Sequence, residues 1–301
     1  MNNSRQKIIS VSRRTDIPAF YTKWFSNRLT AGFAEVVNPF NARQVRTVSL
    51  HPDDVAALVF WTRNARPLFS KLSQLTGSGY RFYFHWTLNN YPAQLESNNP
   101  AVERAIAAFH QLAQMISADK IIWRYDPIVI SSVTPLKWHI DNFHFLAGRL
   151  SGATNQCIFS FVDLYKKVER NMARMQKNGV EFYKPSAEDR QYLVENLAEI
   201  AEMNGIRLAA CCEDAYLSIQ NIDKARCIDS GLLQKIYPDI QLSGSLNPTR
   251  PQCGCFESID IGAYDSCLFG CIYCYANTNF SKRSIIRYHS HDPQNPKLIP
   301  A

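Results

Sequence analysis

Short apolar, β-branched or aromatic runs recur along the chain, each followed by polar residues and then by a helix-like stretch. The runs are Ile8–Ser12, Ala34–Asn38, Ala57–Trp61, Arg81–Leu88, Lys120–Tyr125, Gln156–Val162 and Ile206–Cys211, with Ile259–Tyr264 as an eighth. Between them, Pro18–Leu29, 64–75, 100–117, Pro135–Leu150 and Ser186–Met203 carry helical patterns. In the fourth inter-strand stretch Val102, Ile106, Phe109, Leu112 and Ala113 repeat at helical spacing. In the last, Ser186 and Asp189 suit an N-terminus, and Asn204-Gly205 suits a stop. Eight strands alternating with helices predict an α/β fold, a (β/α)8 TIM-like barrel, with an open α/β sheet as the alternative. A length of 301 residues suits one domain over 1–301, closed by a cysteine-rich segment at 253–277.

An apolar content of 46% with 20% charged residues is that of a globular chain, not a disordered one. The first ten residues lack the apolar core of a signal peptide, and no run is long enough for a bilayer span. The expectation is a cytoplasmic protein without a membrane partner. Nine cysteines in a reducing compartment are not a disulfide framework, so metal or redox chemistry is the natural reading.

In barrels of this kind the active site lies where the strands end. The predicted strand ends are polar: Arg13, Arg14 and Asp16 after the first, Asn38-Pro39-Phe40-Asn41 after the second, and Trp61-Thr62-Arg63-Asn64 after the third. Arg124 and Asp126 follow the fifth, Asp163 the sixth, and Cys211-Cys212-Glu213 the seventh. Charged groups converging on one mouth suit a polar, charged ligand. Arg13, Asp16, Arg124, Asp126, Asp163 and Glu213 are therefore the candidate catalytic residues. Arg124 and Asp126 flank one residue and should point the same way from an extended chain.

The sharpest local signal is Cys267-Leu-Phe-Gly-Cys271-Ile-Tyr-Cys274, three thiols spaced C-x3-C-x2-C. Thiolates are the usual ligands of iron–sulfur clusters. Three cysteines on a four-iron cubane leave one iron open to bind another molecule. Cys253 and Cys255 are candidates for a second site, for a redox dithiol, or for lining the first. Cys211, Cys212 and Cys227 could complete an auxiliary cluster, although buried core cysteines are the plainer reading for them and for Cys157.

The C-x3-C-x2-C motif with an aromatic before its last cysteine resembles the cluster motif of radical S-adenosylmethionine (SAM) enzymes. The resemblance implies a [4Fe–4S] cluster on Cys267, Cys271 and Cys274, with SAM chelated to the open iron and cleaved reductively. It places Tyr273 near the adenine, and implies an electron donor such as flavodoxin or ferredoxin. The family carries the motif on its first strand, whereas here it lies near the C-terminus. Circular permutation of a closed ring would put Ile8–Ser12 next around the ring from the cluster strand, bringing Arg13, Arg14 and Asp16 toward SAM. More narrowly, Ser10-Val-Ser-Arg-Arg-Thr-Asp16, Asn38-Pro-Phe-Asn, Phe60-Trp-Thr, Trp123-Arg-Tyr-Asp126-Pro and Cys253-Gly-Cys255 through Asn277 resemble a bacterial family catalogued as a domain of unknown function. Nothing in that resemblance supplies a substrate.

Two other readings stand beside this one. Cys253, Cys255, Cys271 and Cys274 could form a four-cysteine zinc site in a nucleic-acid-binding protein, which the net charge of +7 favours weakly. No basic stripe interleaved with aromatics supports that partner. An iron–sulfur protein that senses or transfers electrons without cleaving SAM is the third.

Overall fold

A computed structural model describes residues 6–300 of the chain. The strands are β1 (Lys7–Val11), β2 (Phe33–Asn38), β3 (Asn41–Ser49), β4 (Val55–Thr62), β5 (Phe82–Thr87), β6 (Ile121–Ile128), β7 (Gln156–Phe161), β8 (Arg207–Ala210), β9 (Ile222–Lys224) and β10 (Ile259–Asp260). The helices are α1 (Ile17–Phe20), α2 (Thr22–Ala31), α3 (Leu72–Gly77), α4 (Val102–Ile116), α5 (Leu136–Leu150), α6 (Lys166–Gln176), α7 (Ala187–Met203), α8 (Ser230–Ile236) and α9 (Ile285–His289). Eight strands form one parallel sheet in the order β10-β1-β4-β5-β6-β7-β8-β9.

Strand membership departs from the sequence expectation in one place. The run at Ala34–Asn38 is not a sheet strand. It forms an antiparallel hairpin with β3, outside the main sheet. The reason lies in the turn and its partner: the Asn38 carboxamide accepts the Phe40 amide at 2.9 Å, and β3 is a largely polar, exposed strand that suits one solvated face. Asn38-Pro39-Phe40-Asn41 is therefore a hairpin tip, with Phe40 94% exposed, and not part of a mouth. The eighth place in the sheet is filled by β9, a three-residue strand whose Ile222-Asp223-Lys224 offers too short a pattern to read.

The sheet is buried on both faces, as parallel sheets are. Ile9, Val11, Leu58, Phe60, Phe84, Trp86, Trp123 and Phe159 alternate outward into the core beneath the helices. Ile8, Ala57, Val59, Tyr83, Ile122, Ile158 and Ala209 alternate inward and share one cluster with Cys227, Ile228, Leu233 and Ile240. That inner cluster requires a curled sheet. The Tyr83 hydroxyl of β5 donates to the Cys227 carbonyl at 2.8 Å, and His85 Nε2 lies 2.6 Å from the same oxygen. Cys227 follows β9, four strands from β5, which a flat sheet would separate by about 19 Å. Among the described residues β9 and β10 do not pair. Instead the Phe256 amide, just before β10, donates to the Ile228 carbonyl just after β9 at 2.9 Å. The architecture is an open eight-stranded α/β sheet, curled on itself and bridged by loop segments.

The helices follow the sequence pattern closely where caps are explicit. Ser186 and Asp189 form a reciprocal capping box on α7. The expected helix Pro18–Leu29 is interrupted at Tyr21, giving α1 and α2. The stretch at 64–75 begins as a tight 3₁₀ turn over Arg66–Lys71 before α3. The tail bearing His291 is docked: Trp24 Nε1 donates to Asn295 O and Glu35 N to Pro296 O, both at 2.9 Å. Among the described residues no helix is long and apolar enough to cross a membrane.

The pairing of β10 with β1 sets the site. Ile9 sits opposite Ile259 and Ser10 opposite Asp260 in parallel register. The Asp260 carboxylate accepts from Ser10 Oγ (3.0 Å), Ser12 Oγ (2.5 Å), Arg13 N (2.8 Å) and Gly262 N (2.9 Å). Gly262 approaches so closely that a Cβ would lie 2.0 Å from Ser12 Oγ. Gly262→Ala should therefore destabilise the fold by about 1–3 kcal/mol through overpacking. Gly77→Ala, where nothing lies within 4 Å of the added carbon, should shift stability by less than about 0.5 kcal/mol. Guanidinium unfolding of both variants checks the contrast, and equal stability of the two would remove the claim of a close approach.

Candidate functional site

The C-x3-C-x2-C loop leaves β10 and lies over the ends of β4 and β5. Its backbone is held along its length. Tyr21 Oη donates to Ser266 O (2.6 Å), Asn98 Nδ2 to Leu268 O (2.9 Å), Leu95 O accepts Ile272 N (3.1 Å), and Asn277 Nδ2 donates to Cys267 O (3.0 Å). Gly270, between the first two cysteines, has φ +71°, and a Cβ there would meet Ser97 Oγ at 2.8 Å. Only glycine meets both demands.

Cys267, Cys271 and Cys274 are free thiols. Burial raises all three, Cys271 to about 12, and the thiols raise one another where their charges interact. The Arg63 guanidinium opposes this at Cys271. Three free thiols on one glycine-turned loop are, by their chemistry, donors of the kind iron–sulfur clusters use. Among the described residues no three His, Cys, Asp or Glu groups converge on one ion position. A four-iron cubane distributes its thiolates over separate irons.

Beneath the loop lies a buried polar network. Arg63 Nη1 donates to Glu96 Oε1 and Nη2 to the Tyr273 hydroxyl, both at 2.7 Å. Asn89 Nδ2 donates to the same Glu96 oxygen at 3.2 Å and to the Tyr273 hydroxyl at 3.1 Å, and that hydroxyl donates to Glu96. Tyr273 is thus turned inward, with its ring edge-on to Tyr91. Tyr275, which the sequence did not single out, is the more exposed aromatic of the loop, and its hydroxyl donates to Arg13 O at 2.7 Å. Arg63 stood at a predicted strand end without a role. Glu96 lies in a loop with no pattern to mark it.

The strand-end residues divide between two settings. Asp16 caps α1 through Ala19 N (2.9 Å) and also accepts from Thr62 Oγ1 (2.9 Å) and Arg63 N (2.7 Å), so it ties β1 to β4. Arg14 Nε lies 3.9 Å from Asp260 and its guanidinium covers Tyr264. Arg13 and Arg124 lie over the Trp61 ring, 5.9 and 5.1 Å from its centroid. Arg124 and Asp126 do point the same way and form an ion pair, with Ser160 donating to the second Asp126 oxygen. Asp163 is half-exposed and pairs with Arg250. Glu213 accepts the Phe161 amide at 3.0 Å, and burial pushes its carboxyl upward.

Cys211, Cys212, Cys227, Cys253 and Cys255 come together, which the plainer reading of core cysteines did not anticipate for the first three. Cys211 and Cys227 sulfurs are 3.7 Å apart. Cys212, Cys253 and Cys255 pack in the same cluster on the inner face of the sheet. Arg124 Nη1 and Arg250 Nε each donate to a sulfur at 3.1 Å, that of Cys227 and of Cys212 respectively. Cys157, by contrast, is fully buried in β7 among apolar side chains, as expected.

Asp16 yields a pH prediction. Burial raises its carboxyl to about 7, against the opposing hydrogen bonds from Arg63, Ala19 and Thr62. Between the ordinary carboxylate range near 4 and pH 7, the native state then holds a proton that the unfolded chain releases. The stability present below that window is lost as pH rises through it, at up to about 1.4 kcal/mol per pH unit. Asp16→Asn should be less stable overall, since one donor loses its acceptor, and should show a flatter dependence from pH 4 to 7. Urea unfolding across that range checks this, and an unchanged slope in the variant would assign the dependence elsewhere.

No curated protein and no solved structure matches the chain. A family model does, over residues 8–276, from β1 to just beyond the last cysteine of the loop. With that span matched, the chain belongs to the family described as a domain of unknown function, DUF1848.

Proposed function

We propose that the chain is a radical SAM-type enzyme that holds a [4Fe–4S] cluster on Cys267, Cys271 and Cys274. The observation that carries this reading is the placement of the C-x3-C-x2-C loop: it leaves a strand of a curled parallel sheet at the sheet's C-terminal end, beside β1. Parallel α/β folds present their ligand sites at that end. On this reading the curled sheet serves as a (β/α)8-like barrel whose cluster strand is the last in sequence. When bound, such a cluster supplies the electron for reductive cleavage of SAM at its cysteine-free iron.

The remaining roles belong to the chain's own groups. Arg63 places a cation beside Cys271 and is fixed there by Glu96 and Tyr273. Arg13 and Arg124, lying over Trp61, are the cations available to a carboxylate or other anionic group at the mouth. Asp126 holds Arg124 and is itself held by Ser160, so that pair orients the cation. Arg14, Asp16 and Tyr273 fix the loop and β1 around the site. Asp163 and Glu213, after β7 and β8, are the carboxylates this reading offers for proton exchange with a substrate. An oxygen-sensitive cluster suits the reducing cytoplasm and an electron donor such as flavodoxin or ferredoxin.

Electron paramagnetic resonance of anaerobically purified, dithionite-reduced protein tests the reading. A [4Fe–4S]+ signal whose g-values shift on adding SAM is expected. Cys271→Ala should lose that SAM-responsive signal while circular dichroism stays unchanged. A SAM-responsive signal retained in full by Cys271→Ala would remove the ligand assignment. A cluster indifferent to SAM would favour electron transfer or sensing.

A further inference from the structure

The group of five thiols inside the curled sheet has no part in that reading. It is assembled from three separate stretches: Cys211 and Cys212 after β8, Cys227 after β9, and Cys253 and Cys255 before β10. All five pack into one cluster on the inner face of the sheet, with Cys211 and Cys227 in direct sulfur contact. All five are free thiols. The 3.7 Å between the Cys211 and Cys227 sulfurs is far beyond a disulfide bond of about 2.05 Å. It matches the edge of a thiolate tetrahedron: metal–sulfur bonds of about 2.3 Å place adjacent sulfurs about 3.8 Å apart.

The surroundings are those of a charged thiolate centre. Arg124 Nη1 donates to Cys227 Sγ at 3.1 Å, Arg250 Nε to Cys212 Sγ at 3.1 Å, and Arg250 Nη2 approaches Cys211 Sγ at 3.5 Å. Four thiolates around a divalent ion, or around an oxidised four-iron cluster, carry a net charge of about −2. Two guanidiniums aimed at the sulfurs offset that charge, in the manner of the hydrogen-bonded shell around a metal site. The two outer thiols sit on turns with left-handed backbone, Cys212 itself at φ +59° and Gln252 before Cys253 at φ +63°. Non-glycine residues hold such angles at a cost, and they gather where a side chain must be aimed.

We propose that Cys211, Cys212, Cys227, Cys253 and Cys255 form a second, thiolate-ligated metal centre, distinct from the C-x3-C-x2-C loop. Its occupant is a thiophilic metal, as a single tetrahedral ion or as an iron–sulfur cluster. Cys211, Cys227 and Cys255 are the buried inner ligands. Among the described residues no three of these thiols already converge on one ion position, so loading draws the half-buried Cys212 or Cys253 inward to complete the fourth position. The assignment stands whether or not the first loop cleaves SAM.

The test uses the full chain with Cys267→Ala, Cys271→Ala and Cys274→Ala combined, purified anaerobically. Iron, acid-labile sulfide and zinc are then measured per chain. Stoichiometric metal should remain. Zinc or iron without sulfide would identify a single ion, and iron with sulfide a cluster; either supports the centre. Adding Cys227→Ala and Cys255→Ala should abolish it. Because those inner substitutions could unfold the chain, Cys212→Ala with Cys253→Ala on the outer turns provides a milder variant. In a cobalt(II) titration of metal-free protein it should show weaker thiolate-to-metal absorption. Arg250→Gln should weaken cobalt binding about 10–100-fold, with the absorption at saturation unchanged. Less than a tenth of an equivalent of metal in the folded triple variant, with no thiolate–cobalt absorption on titration, would overturn the proposal. So would metal retained after loss of both Cys227 and Cys255.

Discussion

The Asp260 carboxylate joins the two ends of this molecule. Four donors from Ser10, Ser12, Arg13 and Gly262 converge on it, three of them some 250 residues away in sequence. Without that junction β10 has no reason to lie on β1, since its pairing register with that strand spans only two residues. The loop that follows would lose its support as well. The entropic cost of so long a closure is modest, because doubling a loop's length adds only about 0.6 kcal/mol. What holds the junction is specific geometry: a buried carboxylate with its lone pairs used, beside a glycine that leaves no room for a methyl group.

A second theme is how cations are spent. Arg63 sits beside Cys271, Arg124 beside Cys227 and Arg250 beside Cys212 and Cys211. Each also holds a carboxylate: Glu96, Asp126 and Asp163 respectively. An arginine with one face on a carboxylate and another toward sulfur is fixed in orientation, since its fork is planar and its donors rigid. The same unit recurs at both groups of cysteines. Each of these arginines is neutralised by its own carboxylate, so the three pairs add nothing to the net charge of +7.

Much of this was legible in the sequence. Seven of the eight runs became sheet strands because parallel strands buried on both faces read as continuous apolar segments. The Ser186–Asp189 box and the Gly205 stop marked α7 because caps are local chemistry. The C-x3-C-x2-C loop and its place beside β1 followed from motif and topology. What escaped was non-local. Ala34–Asn38 has strand chemistry, and only the polar β3 opposite it reveals a hairpin. β9 is too short to carry a period. The hydrogen bonds that turn the Tyr273 hydroxyl inward also escaped, because Arg63 comes from the end of β4 and Asn89 and Glu96 from the β5–α4 connection. Cys211, Cys212 and Cys227 were weighed as partners of Cys253 and Cys255, but no spacing rule selects that grouping over plain core thiols.

The strand order has a bearing on how the chain is made. A ribosome releases β1 early and β10 last among the ten strands, so β1 waits with one edge unpaired while the sheet β1–β9 assembles. An unpaired parallel edge is where chains join one another by mistake. The stretch that finally covers it also carries Cys253, Cys255 and the three thiols of the loop. Completion of the sheet and delivery of its last thiols are thus one event in the life of the nascent chain.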